Sequence, residues 1–223
     1  MFALIFPEAC LFCKTELASS EKHVCGLCDL ELKRTYFEGF KEDSSLDKMF
    51  WGRVKLEKTF ALYYFNSATP IRDILHQLKY QHKEKLGIDL GRNIGRVLSE
   101  SNFFSDLDGL IPVPIHHKKK FIRGYNQSEL IARGISFEMG IHVVKKRTSK
   151  LKHTSSQTKK NNQERWENVA SVFQSQDLSM YRHVAIVDDV ITTGSTIEAL
   201  ACELLKTNSH LKISVISLAF AQS

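Results

Sequence analysis

Two groups of residues in this chain have the types and spacing to do chemistry. The first is Asp188-Asp189 followed by Thr192-Thr193-Gly194-Ser195-Thr196. Adjacent carboxylates accept hydrogen bonds from a pair of sugar hydroxyls and can help hold a divalent cation. The glycine lets backbone approach a ligand closely, and the four hydroxyls can donate to an anion. The second group is Cys10-Leu-Phe-Cys13 with Cys25-Gly-Leu-Cys28, two Cys-x2-Cys knuckles separated by eleven residues. Two such knuckles complete a tetrahedral four-cysteine zinc site, Zn2+ then being structural because no coordination position stays open. A pair of disulfides is the alternative, and a cytosolic compartment disfavours it.

The elements around the acids must be a strand and a helix. Residues 184–187 are a short apolar run that reads as a buried parallel strand, which puts Asp188 and Asp189 at its carboxyl end. Open α/β sheets place their ligand crevice at that end. After the loop, Ile197, Leu200, Ala201, Leu204 and Leu205 follow the i, i+3, i+4, i+7, i+8 spacing of a helix face. Loop amides and a helix N-terminus suit a phosphate. Strand, acid pair, small-residue loop and helix together describe a site for a phosphorylated sugar.

Length and composition set bounds. A chain of 223 residues fits one medium domain and a small module. It is 43% apolar and 25% charged, which excludes extended disorder. The net charge of +6 permits a polyanionic partner. No apolar run is long enough to cross a membrane, and the apolar residues 1–9 lack a basic leader, so a cytoplasmic protein without membrane insertion is expected.

The expected organisation is a zinc module over residues 1–35, a linker over 36–58 and an α/β domain over 59–223. The module is too small for a core of its own and would be held by metal. Phe37, Phe40, Phe50 and Trp51 imply that the linker packs onto the domain. Residues 59–66 read as a strand, and Thr69-Pro70 as an N-cap with proline at the first helical position. That helix carries Ile71, Ile74, Leu75 and Leu78 and ends at Lys79-Tyr80, and Leu86, Leu90, Ile94, Val97 and Leu98 mark the next. Residues 109–115 form an apolar strand that ends in Pro112-Val-Pro114. His116-His117-Lys118-Lys119-Lys120 and Arg123-Gly-Tyr-Asn-Gln127 come next. The histidines read as surface loop residues, and Lys118–Lys120 either as a solvated charged turn or as basic side chains that meet an anion, whereas the Arg123 guanidinium is suited to gripping phosphate oxygens. Residues 128–137 read as a helix and 141–145 as a strand. A polar lid spans 146–168, a strand returns over 170–174, and 212–219 closes the sheet. His23 reads as a solvated loop residue and Cys202 as a small packing residue.

Val187-Asp-Asp-Val-Ile-Thr-Thr-Gly-Ser-Thr196 resembles the phosphoribosyl pyrophosphate (PRPP) motif of type I phosphoribosyltransferases. Leu78-Lys-Tyr80, Pro112-Val-Pro114, Arg123-Gly-Tyr-Asn-Gln127 and the spaced Gln157, Arg165, Asn168 and Phe173 extend the resemblance to the ComF competence-protein family. The resemblance implies a type I phosphoribosyltransferase fold, a mostly parallel sheet flanked by helices, with an N-terminal zinc ribbon. It also implies PRPP with Mg2+ as ligand. Asp188 and Asp189 would hold the ribose hydroxyls, Thr192 to Thr196 the 5′-phosphate, and Arg123 the pyrophosphate. A glutamine-dependent enzyme would need a nucleophilic N-terminal cysteine. The chain begins Met1-Phe2 and its early cysteines have zinc spacing, so glutamine dependence is not expected. The family further implies a part in uptake of transforming single-stranded DNA, served by Lys118–Lys120, Lys145–Arg147 and Lys159-Lys160 and by components of the uptake machinery. Type I relatives often dimerise, which makes a homodimer a further expectation.

Overall fold

Five parallel strands carry the architecture, and the order in which the chain visits them fixes where a ligand can bind. The computed structural model describes residues 9–80, 83–145, 147–151 and 172–222. The sheet consists of β1 (Thr59–Tyr64), β2 (Gly109–Pro112), β3 (His142–Val143), β6 (His183–Ile191) and β7 (Lys212–Phe220) in the order β1-β7-β6-β2-β3. Every pair within it is parallel. The chain leaves β2 towards β3 on one side and leaves β6 towards β7 on the other. The connections diverge between β2 and β6, and the carboxyl ends of these two strands frame a topological switch point. A separate antiparallel pair, β4 (Thr148–Lys150) with β5 (Phe173–Ser175), stands apart from this sheet.

The central strands are near-continuous apolar runs, as burial on both faces requires. Val184, Ala185, Ile186 and Val187 of β6 and Val215, Ile216, Leu218 and Ala219 of β7 are fully buried. Helices α3 (Pro70–Tyr80), α4 (Glu84–Ser101), α6 (Gln127–Met139) and α7 (Ser195–Thr207) flank the sheet. Pro70 opens α3 and Tyr80 closes it, as the sequence predicts. Helices α4 and α6 meet almost backbone to backbone. A Cβ on Gly91 would lie 2.1 Å from the Ile131 carbonyl oxygen, and one on Gly134 would lie 2.2 Å from that of Ile88. Gly87 and Gly95 extend the same seam, so part of the α4 contact face carries no side chain at all.

Several expectations change. The strand expected over 184–187 runs to Ile191, because β7 continues to pair with it through Asp188↔Ser217 and Ile191↔Phe220. The turn at 117–120 is helical, forming α5 (His117–Arg123) with the buried His116 side chain accepting from the Lys118 amide at its N-terminus. Cys202 is exposed, since the buried stripe of α7 consists of Ile197, Ala199, Leu200, Ala201 and Leu204.

The amino-terminal part lies against the domain. Short helices α1 (Gly26–Leu30) and α2 (Ser45–Met49) belong to it, and Phe37 and Phe50 enter the common core. Segment 33–35 runs along the outer edge of β1, with Thr35 N donating to Leu62 O (3.1 Å), Tyr64 N to Lys33 O (2.8 Å) and an antiparallel bridge between Arg34 and Tyr63. His23, expected in solvent, pairs with Asp89 of α4 at 3.1 Å. No helix among the described residues is long and apolar enough to cross a membrane.

Candidate phosphoribose crevice and four-cysteine centre

At the switch point the pairing of β6 becomes one-sided. On the β2 side it ends with Val113 N donating to Val187 O, whereas β7 stays paired to Ile191. Asp188 and Asp189 therefore emerge just beyond the end of β2 while β7 still holds their backbone straight. Successive strand residues turn to opposite sides, and the two acids have different partners. Asp188 Oδ1 accepts from the Ser128 hydroxyl in the first turn of α6 (3.0 Å) and from the Asp189 amide (2.9 Å). Asp189 Oδ2 lies 3.0 Å from Lys79 Nζ, at the end of α3. Burial, and then the charge of Asp189, push the Asp188 carboxyl up to about 7, against the Asp189 amide, the Ser128 hydroxyl and Lys79.

The small-residue segment is shorter than a loop of five. Ser195 and Thr196 already form the first turn of α7, and Gly194 is its N-cap with φ 72°. A residue with a Cβ is strained at that angle. Thr193 and Ser195 join through their hydroxyls at 3.1 Å. Thr192, Thr193, Ser195 and Thr196 are exposed, as a ligand-facing turn requires.

Across the crevice the Arg-Gly-Tyr-Asn-Gln stretch works mainly as a joint. Gly124 caps α5 with φ 79°, Tyr125 Oη donates to Leu78 O (2.8 Å), and Asn126 links β2 to α6 by donating to Val113 O (3.0 Å). Arg123 donates to Gln127 Oε1 (3.1 Å) and lies over the Tyr80 ring. With His116, Lys119 and Lys150 it lines a recess of about 80 Å³. Burial pushes the Lys150 amine down, Lys119 adds to that, and Asp188 opposes it. No carboxylate among the described residues pairs with Lys119, Arg123 or Lys150. The crevice therefore combines an acid pair, a helix N-terminus and a cationic recess. Lys145 and Arg147 are exposed, whereas Gln157, Arg165, Asn168, Lys159-Lys160 and most of the 146–168 lid lie outside the described residues.

The sequence did not assign chemistry to Lys79, Ser128, Lys150 or Arg53. Leu78-Lys-Tyr80 carried a signal for the first of these, but nothing in it indicates that the amine reaches a strand more than a hundred residues later.

The four cysteines converge. Their sulfur atoms all lie within 4.8 Å of one another, and Cys13 Sγ is 3.6 Å from Cys25 Sγ. Tetrahedral zinc with Zn–S near 2.3 Å requires sulfur separations of about 3.8 Å, so the donor set fits the ion. The Cys25 amide points at Cys10 Sγ (3.4 Å), a contact that favours thiolate. Hydrogen bonds from Thr15 bring the Cys13 thiol down to about 6, whereas burial and the neighbouring sulfurs push Cys28 up. A dication would resolve that conflict by taking all four as thiolates. Cys10 is fully buried and Cys13 exposed at the rim.

Fold and site together define an α/β protein with a parallel sheet, an acid-lined crevice at its switch point and an N-terminal four-cysteine centre able to hold a metal such as zinc. No protein-family model matches the chain. It is 26% identical to competence protein F of Haemophilus influenzae over 97% of this chain and 98% of that one. It is 25% identical to the DNA utilization protein YhgH of Escherichia coli K12, over 92% and 94% of the two chains. Competence protein ComFC of Bacillus subtilis is 21% identical over 95% and 83%. These end-to-end matches support the ComF family as the family of this chain.

Proposed function

We propose that this protein handles DNA during its uptake or utilization, and that its α/β domain binds a phosphorylated ribose, PRPP with Mg2+, in the crevice at the end of β6. The names of its relatives support the first half, and the placing of Asp188 and Asp189 at the switch point beside the α7 N-terminus carries the second. In this reading residues 59–223 adopt the type I phosphoribosyltransferase fold, with 1–35 as zinc ribbon and 36–58 as linker. The protein acts in the cytoplasm.

The acids accept from the ribose hydroxyls, and Ser128 and Lys79 hold their carboxylates in place. Thr192, Thr193 and the first turn of α7 take the 5′-phosphate. Arg123, Lys119 and Lys150 face the pyrophosphate. Magnesium, held with the help of the acid pair, would neutralise pyrophosphate charge. Where turnover occurs, an acceptor forms a bond to the ribose anomeric carbon while the bond to pyrophosphate breaks, and pyrophosphate leaves with the electron pair. Positive charge then grows on the sugar beside the acids and negative charge beside the cations, an arrangement that lowers the barrier by preorganisation.

Single-stranded DNA finds a suitable surface on α5. Phe121 is 91% exposed and Ile122 71%, and they stand among Lys118, Lys119, Lys120 and Arg123. Cations beside an exposed ring fit sequence-tolerant binding through phosphates and base stacking.

Calorimetric titration with PRPP and Mg2+ tests the ligand. Binding by the zinc-loaded parent and its loss in an Asp188→Asn, Asp189→Asn double variant are expected. A folded parent that binds no PRPP refutes the phosphoribose site and leaves DNA handling alone. For DNA, anisotropy of a labelled single strand should weaken with salt at a slope of about 0.7 per phosphate neutralised. Replacing Lys118, Lys119 and Lys120 by alanine should flatten that slope.

A further inference from the structure

Ahead of β1, one arginine grips the phosphate loop from behind. Helix α2 is fixed at its start by a capping box between Ser44 and Asp47. The second oxygen of Asp47 accepts from the amide (3.0 Å) and hydroxyl (2.7 Å) of Thr59, tying α2 to the first residue of β1. From the turn after α2, Arg53 reaches the far end of the sheet's site. Its Nη1 donates to Thr193 O (2.9 Å) and to Met49 O (3.3 Å), and its Nε donates to Glu198 Oε2 (3.1 Å), which Nη2 also meets. Phe50 and Met49 close the same side, 2.8 and 3.1 Å from where a Gly194 Cβ would stand.

Two consequences follow for an anion at this loop. The 193–194 peptide is trans, so its N–H and C=O point in opposite directions. By holding the Thr193 carbonyl on the α2 side, Arg53 turns the Gly194 N–H away from α2. Glu198 lies in that first turn. Its carboxylate suits the helix dipole but repels a phosphate bound at the same N-terminus. The Arg53 guanidinium neutralises it at contact distance.

We propose that Arg53 is a positioning residue for the ligand phosphate: it sets the Thr193–Gly194 peptide plane and cancels the charge of Glu198. This rests on the phosphoribose reading above. It gives the segment before the α/β domain a part in ligand affinity that the strand-acid-loop-helix unit does not contain.

Ribose 5-phosphate is the probe, titrated into the full-length zinc-loaded protein and its Arg53→Gln, Arg53→Lys, Glu198→Gln and Arg53→Gln/Glu198→Gln variants. The parent should bind. Arg53→Gln should weaken binding by about tenfold or more, the scale of a lost charge-assisted hydrogen bond plus an uncovered like charge. Glu198→Gln, which leaves the Thr193 contact in place, should bind at least as well as the parent. The double variant should regain at least about threefold over Arg53→Gln, since the repelling carboxylate is gone. Arg53→Lys should recover part of the loss. The deficit of Arg53→Gln should also widen as pH rises through about 6, where the phosphate acquires its second charge. A parent that binds normally, with Arg53→Gln unchanged, overturns the role of Arg53 alone. A double variant no better than Arg53→Gln, or a deficit flat with pH, marks Arg53 as a structural staple and also overturns it. Absence of binding by the folded parent removes the phosphoribose reading and this proposal with it.

Discussion

Asp188 is held in a state that folding alone does not favour. Its carboxyl titrates near 7 in the folded chain and near 4 in the unfolded one, so between those values the native state binds more protons. The contribution of Asp188 to stability should therefore fall as pH rises from about 4 to about 7. Asp188→Asn should remove that slope, raising the melting temperature at pH 7.5 by an amount corresponding to at most about 4 kcal/mol and leaving it little changed at pH 4.5. Thermal denaturation at the two pH values measures this, and equal gains at both would contradict it. Lys79→Met should do the reverse. It strips the cation from Asp189, only 8% exposed, and should cost about 1–3 kcal/mol at neutral pH in a denaturant titration. The acids and the Thr192–Thr196 stretch were legible in the sequence because their chemistry is local, a strand end, a turn and a helix start within ten residues. Lys79 and Arg53 were not, because each acts across more than a hundred residues and neither lies in a pattern that marks its target. Another constellation, with His183 and Ser214 buried and Asp106 exposed, invites a catalytic reading. His183 Nε2 lies 2.8 Å from the Ser214 hydroxyl, and its Nδ1 lies 3.0 Å from Asp106. Ser214 is fully buried, at the end of the sheet opposite the crevice. Ser214→Ala should therefore lower the melting temperature and leave ribose 5-phosphate affinity intact.

Among the elements, α4 and α6 owe their closeness to what their sequences lack. Apolar spacing located both helices, and Leu86, Leu90, Ile94 and Leu98 are buried as expected, but Val97 is only partly so. The seam itself is made by Gly91 against Ile131 and Gly134, with Gly87 against Leu130 and Gly95 against Ile135 and Glu138, and a scan for apolar periodicity counts glycine as a weak helix former, not as a contact. Gly91→Ala would drive a methyl group into the Ile131 carbonyl. The two helices must separate to admit it, and a loss of about 3 kcal/mol or more is expected in urea denaturation. Because α6 also carries Ser128 at its first turn, the same substitution should weaken ribose 5-phosphate binding without touching the crevice. Helix α5 escaped the sequence reading for a different reason. None of its residues is buried, so it has no apolar stripe, and only the His116 cap and Gly124 delimit it.

Across the whole molecule, the four-cysteine module is joined to the domain by directed bonds. Gln77 of α3 donates to Leu11 O inside the first knuckle (3.1 Å), and His23, just before the second, meets Asp89 of α4. The cysteine spacing made the four-cysteine cluster legible, yet the docking was not, because it depends on the Leu11 carbonyl and on the side chains of Gln77, His23 and Asp89. With these ties, removal of zinc by a chelator should lower the melting temperature of the whole chain in a single calorimetric transition. Two separated transitions would mean that the module folds on its own account. Segment 33–35 has one more effect. It lies along β1, the outermost strand on that side of the sheet, while the opposite border is β3, two residues long. A newcomer offering a strand meets one border already taken and the other too brief to hold it. Assembly with a second copy, or with another protein, is thereby steered to contacts between side chains, and any loosening of the four-cysteine module would unblock the one long edge for self-association.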